Sequence, residues 1–261
     1  MNNKGPRVLL LDIETAPMLG YVWGLFDQNI ALNQIHTDWY IISWSAKWLN
    51  DPASKVMYMD QSKAKNIEDD SKILKKMWNL LNEADIVVTQ NGKKFDMKKL
   101  NARFILNNMG PPSPYRQIDT LVIAKKNFGF TSNKLEYMTK KLCKKNKKSS
   151  HKKFSGFELW RECLAGNKAA WAEMKHYNVM DVLSLEELYH KLQPWDNSIN
   201  FAVYNETSEV QCNCGSIKLQ KRGYNHSNAG KYQRYQCMEC GKWLSGKQNL
   251  FSKQKRASLI K

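Results

Sequence analysis

Val8–Thr15, VLLLDIET, joins an aliphatic run to two carboxylates, Asp12 and Glu14, with only Ile13 between them. An apolar run of this length reads as a buried strand, and side chains two apart on a strand project from the same side. Both acids would then stand together at the end of an otherwise apolar element. Two like charges so placed raise each other's pKa unless something positive lies between them, and a divalent metal ion is the usual solution. The plainer alternative is a strand running into a solvated turn that carries two surface acids, and this segment alone leaves both open.

The remaining composition narrows the choice. A chain of 261 residues that is 42% hydrophobic can bury one good-sized core and carry a small appendage. Lys and Arg outnumber Asp and Glu by 41 to 24, a surplus of +17, which favours a polyanionic partner and puts nucleic acid first. No apolar run approaches the roughly 20 residues needed to span a bilayer. The N-terminal MNNKGPR leads straight into the first strand, so neither a signal peptide nor a membrane segment is expected. Six cysteines, four of them clustered near the C-terminus at metal-like spacing, fit a reducing, cytoplasmic setting.

Beyond the first strand, 16–37 holds Tyr21, Trp23, Phe26 and His36, aromatics that either stack on a base or cover the core; cover is the reading preferred here. Segments 39–48 and 55–59 read as strands of a hairpin around Asn50-Asp51-Pro52. Helical spacing of Ile67, Leu74, Met77, Trp78 and Leu81 predicts a surface helix over 67–82. A strand at 85–90 then runs into the tight turn Asn91-Gly92 and a helix over 97–107. Asp96 falls at that strand-to-helix junction, where an acid serves as an N-cap or as a metal ligand. Asp119 is a further acid in an apolar setting, and 140–153 is a dense basic run suited to phosphate contact through Lys144, Lys145, Lys147 and Lys148. A short helix at 157–163 precedes a long one over 168–192, on which Tyr177 and Asp181 share a face one turn apart.

In order, the chain offers Asp12-Ile13-Glu14 on a strand, Asn91-Gly92 then Phe95-Asp96 opening a helix, and Tyr177-Asn178 then Asp181-Val182 on a late helix. This set resembles the three exonuclease motifs of the DnaQ-like (DEDD) 3′-5′ exonucleases of the ribonuclease H-like superfamily. In the form DIET, NGKKFD and YNVMDV it is most similar to the proofreading domains of family B DNA polymerases and to YprB-like exonucleases. The resemblance covers about residues 7 to 193. It implies an α/β fold, a ribonuclease H-like mixed five-stranded sheet flanked by helices with one strand antiparallel. It also implies that Asp12, Glu14, Asp96 and Asp181 hold two Mg²⁺ or Mn²⁺ ions, with Asn91 near the nucleic acid. Hard cations prefer such oxygen ligands, and a paired site can activate a water and stabilise the leaving 3′ oxygen. The superfamily divides on a tyrosine four residues before the last acid or a histidine five before it. His176 and Tyr177 each satisfy one spacing, and the surrounding motifs resemble the tyrosine branch, so Tyr177 is the expected water-positioning residue.

Segment 194–209 is poor in helix formers and reads as a linker. Beyond it Cys212, Cys214, Cys237 and Cys240 stand in CNCG and CMECG, the paired knuckles of a tetrahedral Zn²⁺ site, with His226 as a candidate substitute ligand. So small a segment has little core without such a staple. Arg222, Arg234 and Trp243 belong to a set of bases interleaved with aromatics that suits nucleic acid.

The expected organisation is an exonuclease domain over 1–193, a linker over 194–209, a zinc ribbon over 210–247 and a basic tail over 248–261, disordered from 253 onward. The expected activity is metal-dependent hydrolysis of terminal phosphodiesters at DNA or RNA 3′ ends. Any proofreading role would require a separate polymerase, or another replication or recombination protein, as partner. A structure-specific endonuclease on the same fold and a non-catalytic nucleic-acid-binding protein are the rival readings.

Overall fold

The computed structural model describes residues 5–146 and 153–260. They form two compact units, Arg7–Leu188 and a second built from the described residues after 188 together with 5 and 6.

In the first unit, β1 (Val8–Thr15) is the central strand of a five-stranded sheet. The short β2 (Leu19–Gly20) and β3 (Ile35–Thr37) pair only with each other, and β4 (Ile41–Trp48) and β5 (Met57–Asp60) follow. Helix α1 (Ser71–Glu83), β6 (Ile86–Thr89), α2 (Asp96–Leu106) and β7 (Arg116–Asp119) complete the order β5-β4-β1-β6-β7. Strand β1 pairs parallel with β6 and antiparallel with β4; β6 pairs parallel with β7, and β4 antiparallel with β5. Strand β4 alone therefore runs against the other four, the mixed arrangement expected. Helices α3 (Thr120–Asn127), α4 (Leu135–Leu142), α5 (Glu158–Leu164) and α6 (Lys168–Leu192) flank the sheet.

The alternation of β1 divides the core. Leu9, Leu11 and Ile13 pack with Ile73, Leu74, Met77 and Leu81 of α1 and with Met97, Leu100 and Phe104 of α2. Each such buried aliphatic side chain contributes about 1.5–3 kcal/mol. Leu10, Asp12 and Glu14 must then face the other side, as do their cross-strand partners Lys47, Ser45 and Ser43. A second cluster includes Ala16, Tyr40 and Ile42 with Leu159 and Cys163 of α5 and Ala170, Trp171 and Met174 of α6. Helix α6 is tied to β4 by Lys47, whose buried Nζ meets Glu186 at 2.7 Å; the same carboxylate oxygen accepts the Asn50 N–H at 2.8 Å.

Two local expectations in this first unit are corrected. Helix α1 starts at Ser71 rather than at 67, because the preceding turn is committed elsewhere. Buried Asp70 accepts the Ile41 N–H and two bonds from the Arg103 guanidinium, while Gln61 Nε2 donates to the carbonyls of Ile67 and Asp69. The aromatics of 16–37 do not cover the core: Trp23 is 96% exposed, Phe26 84% and Tyr21 68%. This arm is nevertheless closed at its base, where the Tyr21 N–H donates to the Gln34 carbonyl and Gln34 Nε2 donates to the Tyr21 carbonyl.

In the second unit, β8 (Leu219–Ser227), β9 (Gly230–Cys237) and β10 (Trp243–Asn249) form an antiparallel three-stranded sheet. The stretch read as a linker holds two short 3-10 turns and buries Ile199 and Phe201, and the Phe201 N–H donates to the Asn213 carbonyl. Within the stretch expected to be disordered, α7 (Lys253–Ala257) forms, because Ser252 Oγ accepts the Lys255 N–H and caps it.

Candidate active site

Strand β1 and helix α6 bring three acids together. Asp12, Glu14 and Asp181 each offer a carboxylate oxygen, and these atoms all lie within 4.8 Å of one another. Asp181 is buried, and the other two are half-buried on the sheet face that α6 covers. The fourth acid of the expected set, Asp96, lies outside that tight group. It is the first residue of α2 rather than its cap, and its Oδ1 accepts the Ile13 N–H at 3.2 Å, between the two β1 acids in sequence. Burial pushes its carboxyl up to about 7, opposed by the Ile13 amide and reinforced by the negative charge of Asp119.

Asp119 builds the turn that leads to Asp96. Its carboxylate accepts the N–H groups of Asn91 (2.8 Å) and Lys93 (3.2 Å) and caps α3 through that of Leu121 (3.0 Å). Asn91 takes a positive φ of 65° there. Gly92 is required beside it, since a Cβ would run into the Thr89 side chain. Asp119, the further acid in an apolar setting, thus holds the turn between β6 and α2 and the start of α3 through three accepted N–H bonds.

Tyr177 is half-buried, with its ring edge-on to Trp160 at 6.3 Å, and it lines a cleft of about 630 Å³ with Gln90, Asn91, Leu121, Lys125 and Lys134. His176, one residue earlier on α6, is exposed. Lys125 and Lys134 were not singled out in the sequence. They look like ordinary surface lysines until the fold sets them on the cleft that Tyr177 and Asn91 share. The sequence also gave Asn178 no role, although it lies in the motif: its buried amide donates from Nδ2 to Asp12 Oδ2 at 2.6 Å. The available signal was an amide three residues before Asp181, on the same helical face.

Of the basic residues expected to contact nucleic acid, Lys144 and Lys145 are exposed, their backbone N–H groups held by Glu187; Lys147 and Lys148 lie outside the described residues. In the second unit, Arg222 and Arg234 are exposed, Arg234 lies 5.1 Å from the Trp243 ring centre, and Lys231 Nζ lies 3.9 Å from that of Tyr224.

Cys212, Cys214, Cys237 and Cys240 offer sulfurs within 4.8 Å of one another. Sγ–Sγ separations of 3.6 Å (Cys212, Cys240) and 3.7 Å (Cys214, Cys237) match the edge of about 3.8 Å for a tetrahedron with Zn–S bonds near 2.3 Å. Gly215 and Gly241, each following a cysteine pair, take φ of 90° and 81°. The one-residue gap of the first pair therefore still closes the group. His226 is exposed on β8 and is not part of it. The neighbouring Cys212 thiol and the Ser216 amide hold Cys214 down at about 5, so one thiolate is available at neutral pH. The donor chemistry separates the two groups: the carboxylates suit a hard divalent ion and the thiolates suit zinc, and both could bind metal.

Comparison with known proteins bears on the fold. Among solved structures, the family B DNA polymerase from the hyperthermophilic archaeon Pyrobaculum calidifontis is similar, with a TM-score of 0.50, 15% identity and 73% of this chain covered. The match covers 25% of that polymerase, so the chain spans about a quarter of its length, and at this identity the likeness concerns the fold alone. No curated protein matches. A family model described as RNase_H superfamily matches residues 32–193, from the arm to the end of α6. That match takes in well over half of the chain and includes Asp96 and Asp181, and membership supports nuclease activity in general terms. With the mixed five-stranded sheet, it establishes that the chain belongs to the RNase H superfamily.

Proposed function

We propose that this protein is a metal-dependent 3′-5′ exonuclease that hydrolyses terminal phosphodiesters of nucleic acid, DNA first, with the zinc-ribbon segment 210–247 helping to hold the strand. The observation that carries this reading is the convergence of Asp12 and Glu14 from β1 with Asp181 from α6. Asp96 would join them in holding two Mg²⁺ or Mn²⁺ ions. Such ions, when bound, polarise the phosphoryl group and supply an activated water and a stabilised leaving oxygen.

The chain's own residues do the rest. Tyr177 orients the attacking water from the cleft wall, and its place beside Asn91, with His176 exposed, supports the tyrosine over the histidine. Lys125 and Lys134 neutralise phosphates of the strand along that cleft. Arg222, Arg234 and Trp243 offer a cation and ring surface to bases and backbone. The four cysteines hold one structural Zn²⁺, supported by sulfur separations that already suit the ion.

The test is incubation of end-labelled linear and circular single strands with Mg²⁺, with Asp12→Asn as the blank. Shortening of linear strands from the 3′ end, with circles intact and the blank silent, is the expected result. Nicked circles would move the protein to the endonucleases, and binding without cleavage of either substrate would make it a binding protein.

A further inference from the structure

Asn178 reaches into the acid site from helix α6. Its side chain is fully buried. Nδ2 donates to Asp12 Oδ2 at 2.6 Å and lies 3.4 Å from the Asp12 carbonyl; Oδ1 faces the Ser43 hydroxyl at 3.5 Å. Ser43 sits opposite Glu14 in the β1–β4 register, and Asn178 precedes Asp181 by one helical turn on α6. One amide therefore joins the strand that carries two of the acids, the strand beside it and the helix that carries the third.

The chemistry fixes which way this amide points. A carboxylate only accepts, so the NH₂ end must face Asp12, and the hydroxyl of Ser43 has a proton to give to the carbonyl end. A short donor contact to an anion is a charge-assisted bond, stronger than a neutral one, and it restrains the torsions of the carboxylate that receives it. The amide carbonyl is turned away toward Ser43, so Asn178 does not compete as a ligand.

Resting on the metal-site reading of Asp12, we infer that Asn178 is a positioning residue: it locks the Asp12 carboxylate in the orientation that faces Glu14 and Asp181, and so sets the affinity of the site for its divalent ion. Hydrogen-bond partners of metal ligands typically alter metal affinity by roughly 10- to 100-fold when removed. Aspartate at this position would keep the shape but set a further negative charge against Asp12, so the amide is the side chain of this size that donates without adding charge.

Mn²⁺ titration of the full chain by calorimetry tests this, with zinc retained and with wild type, Asp12→Asn, Asn178→Leu and Asn178→Ser compared. Binding in wild type that disappears in Asp12→Asn identifies the acid site as the one titrated. Asn178→Leu keeps the branching, at a somewhat larger size, and loses the donor; it should bind Mn²⁺ roughly 10- to 100-fold more weakly while the metal-free variant stays folded at the titration temperature. Should that variant fail to fold, Asn178→Ser, too short to reach Asp12, carries the same comparison. Wild-type affinity in a folded Asn178 variant overturns the positioning role and leaves the metal reading standing. Absence of any Mn²⁺ binding that depends on Asp12 overturns the metal reading and this inference with it.

Discussion

Asp96 carries a carboxyl displaced well away from its ordinary state. With its carboxyl raised to about 7, the folded chain keeps a proton that the unfolded chain releases near pH 4, at the usual aspartate value of about 3.9. The stability tied to that proton is complete below about pH 4 and is lost as pH rises through 7. Metal-free protein should accordingly melt at a lower temperature at about pH 8 than at about pH 5 through this group, and Asp96→Asn should flatten the difference. An identical pH profile in the variant would show that Asp96 is not the group responsible. Tyr177 and His176 supply a second residue-scale prediction. Tyr177→Phe should lower kcat by two orders of magnitude or so, the scale of a lost water-positioning group, while His176→Ala stays near wild type. The reverse ranking in a single-turnover assay would assign the role to the exposed histidine.

At the scale of elements, the turn between β6 and α2 depends on one carboxylate. Asp119→Ala removes the acceptor for three N–H groups, including the α3 cap, and should cost about 2–4 kcal/mol in a denaturant melt. A loss under about 1 kcal/mol would mean that the turn is held by other contacts. This bond set illustrates what could be read from the chain beforehand. Strand β1 and helix α6 were legible because their periods, two and nearly four, sort apolar from polar side chains without reference to any partner. The acids of β1 fell on one face for the same reason. The start of α1 was misjudged because Asp70 answers to Arg103 and Ile41, far away in sequence. Asn178 was passed over for the same cause: its partner Asp12 lies 166 residues away. Periodicity shows which face a side chain takes but not which atom it meets.

For the molecule as a whole, the two metal-compatible groups make separate predictions. Purified protein should carry one zinc per chain by elemental analysis. Cys212→Ser should release that zinc and lower the melting temperature, since a three-stranded sheet of this size has few buried apolar residues to sustain it. Metal-free wild type with an unchanged melt would remove zinc from the account. The arm between β2 and β3 has a different consequence. A loop closed at its base and crowded with Tyr21, Trp23, Leu25 and Phe26 in solvent is a ready target for chymotrypsin, which cuts after such side chains. Brief digestion should sever the chain there first, and because β1 stays paired on both sides, the short N-terminal fragment should co-elute with the remainder instead of washing away.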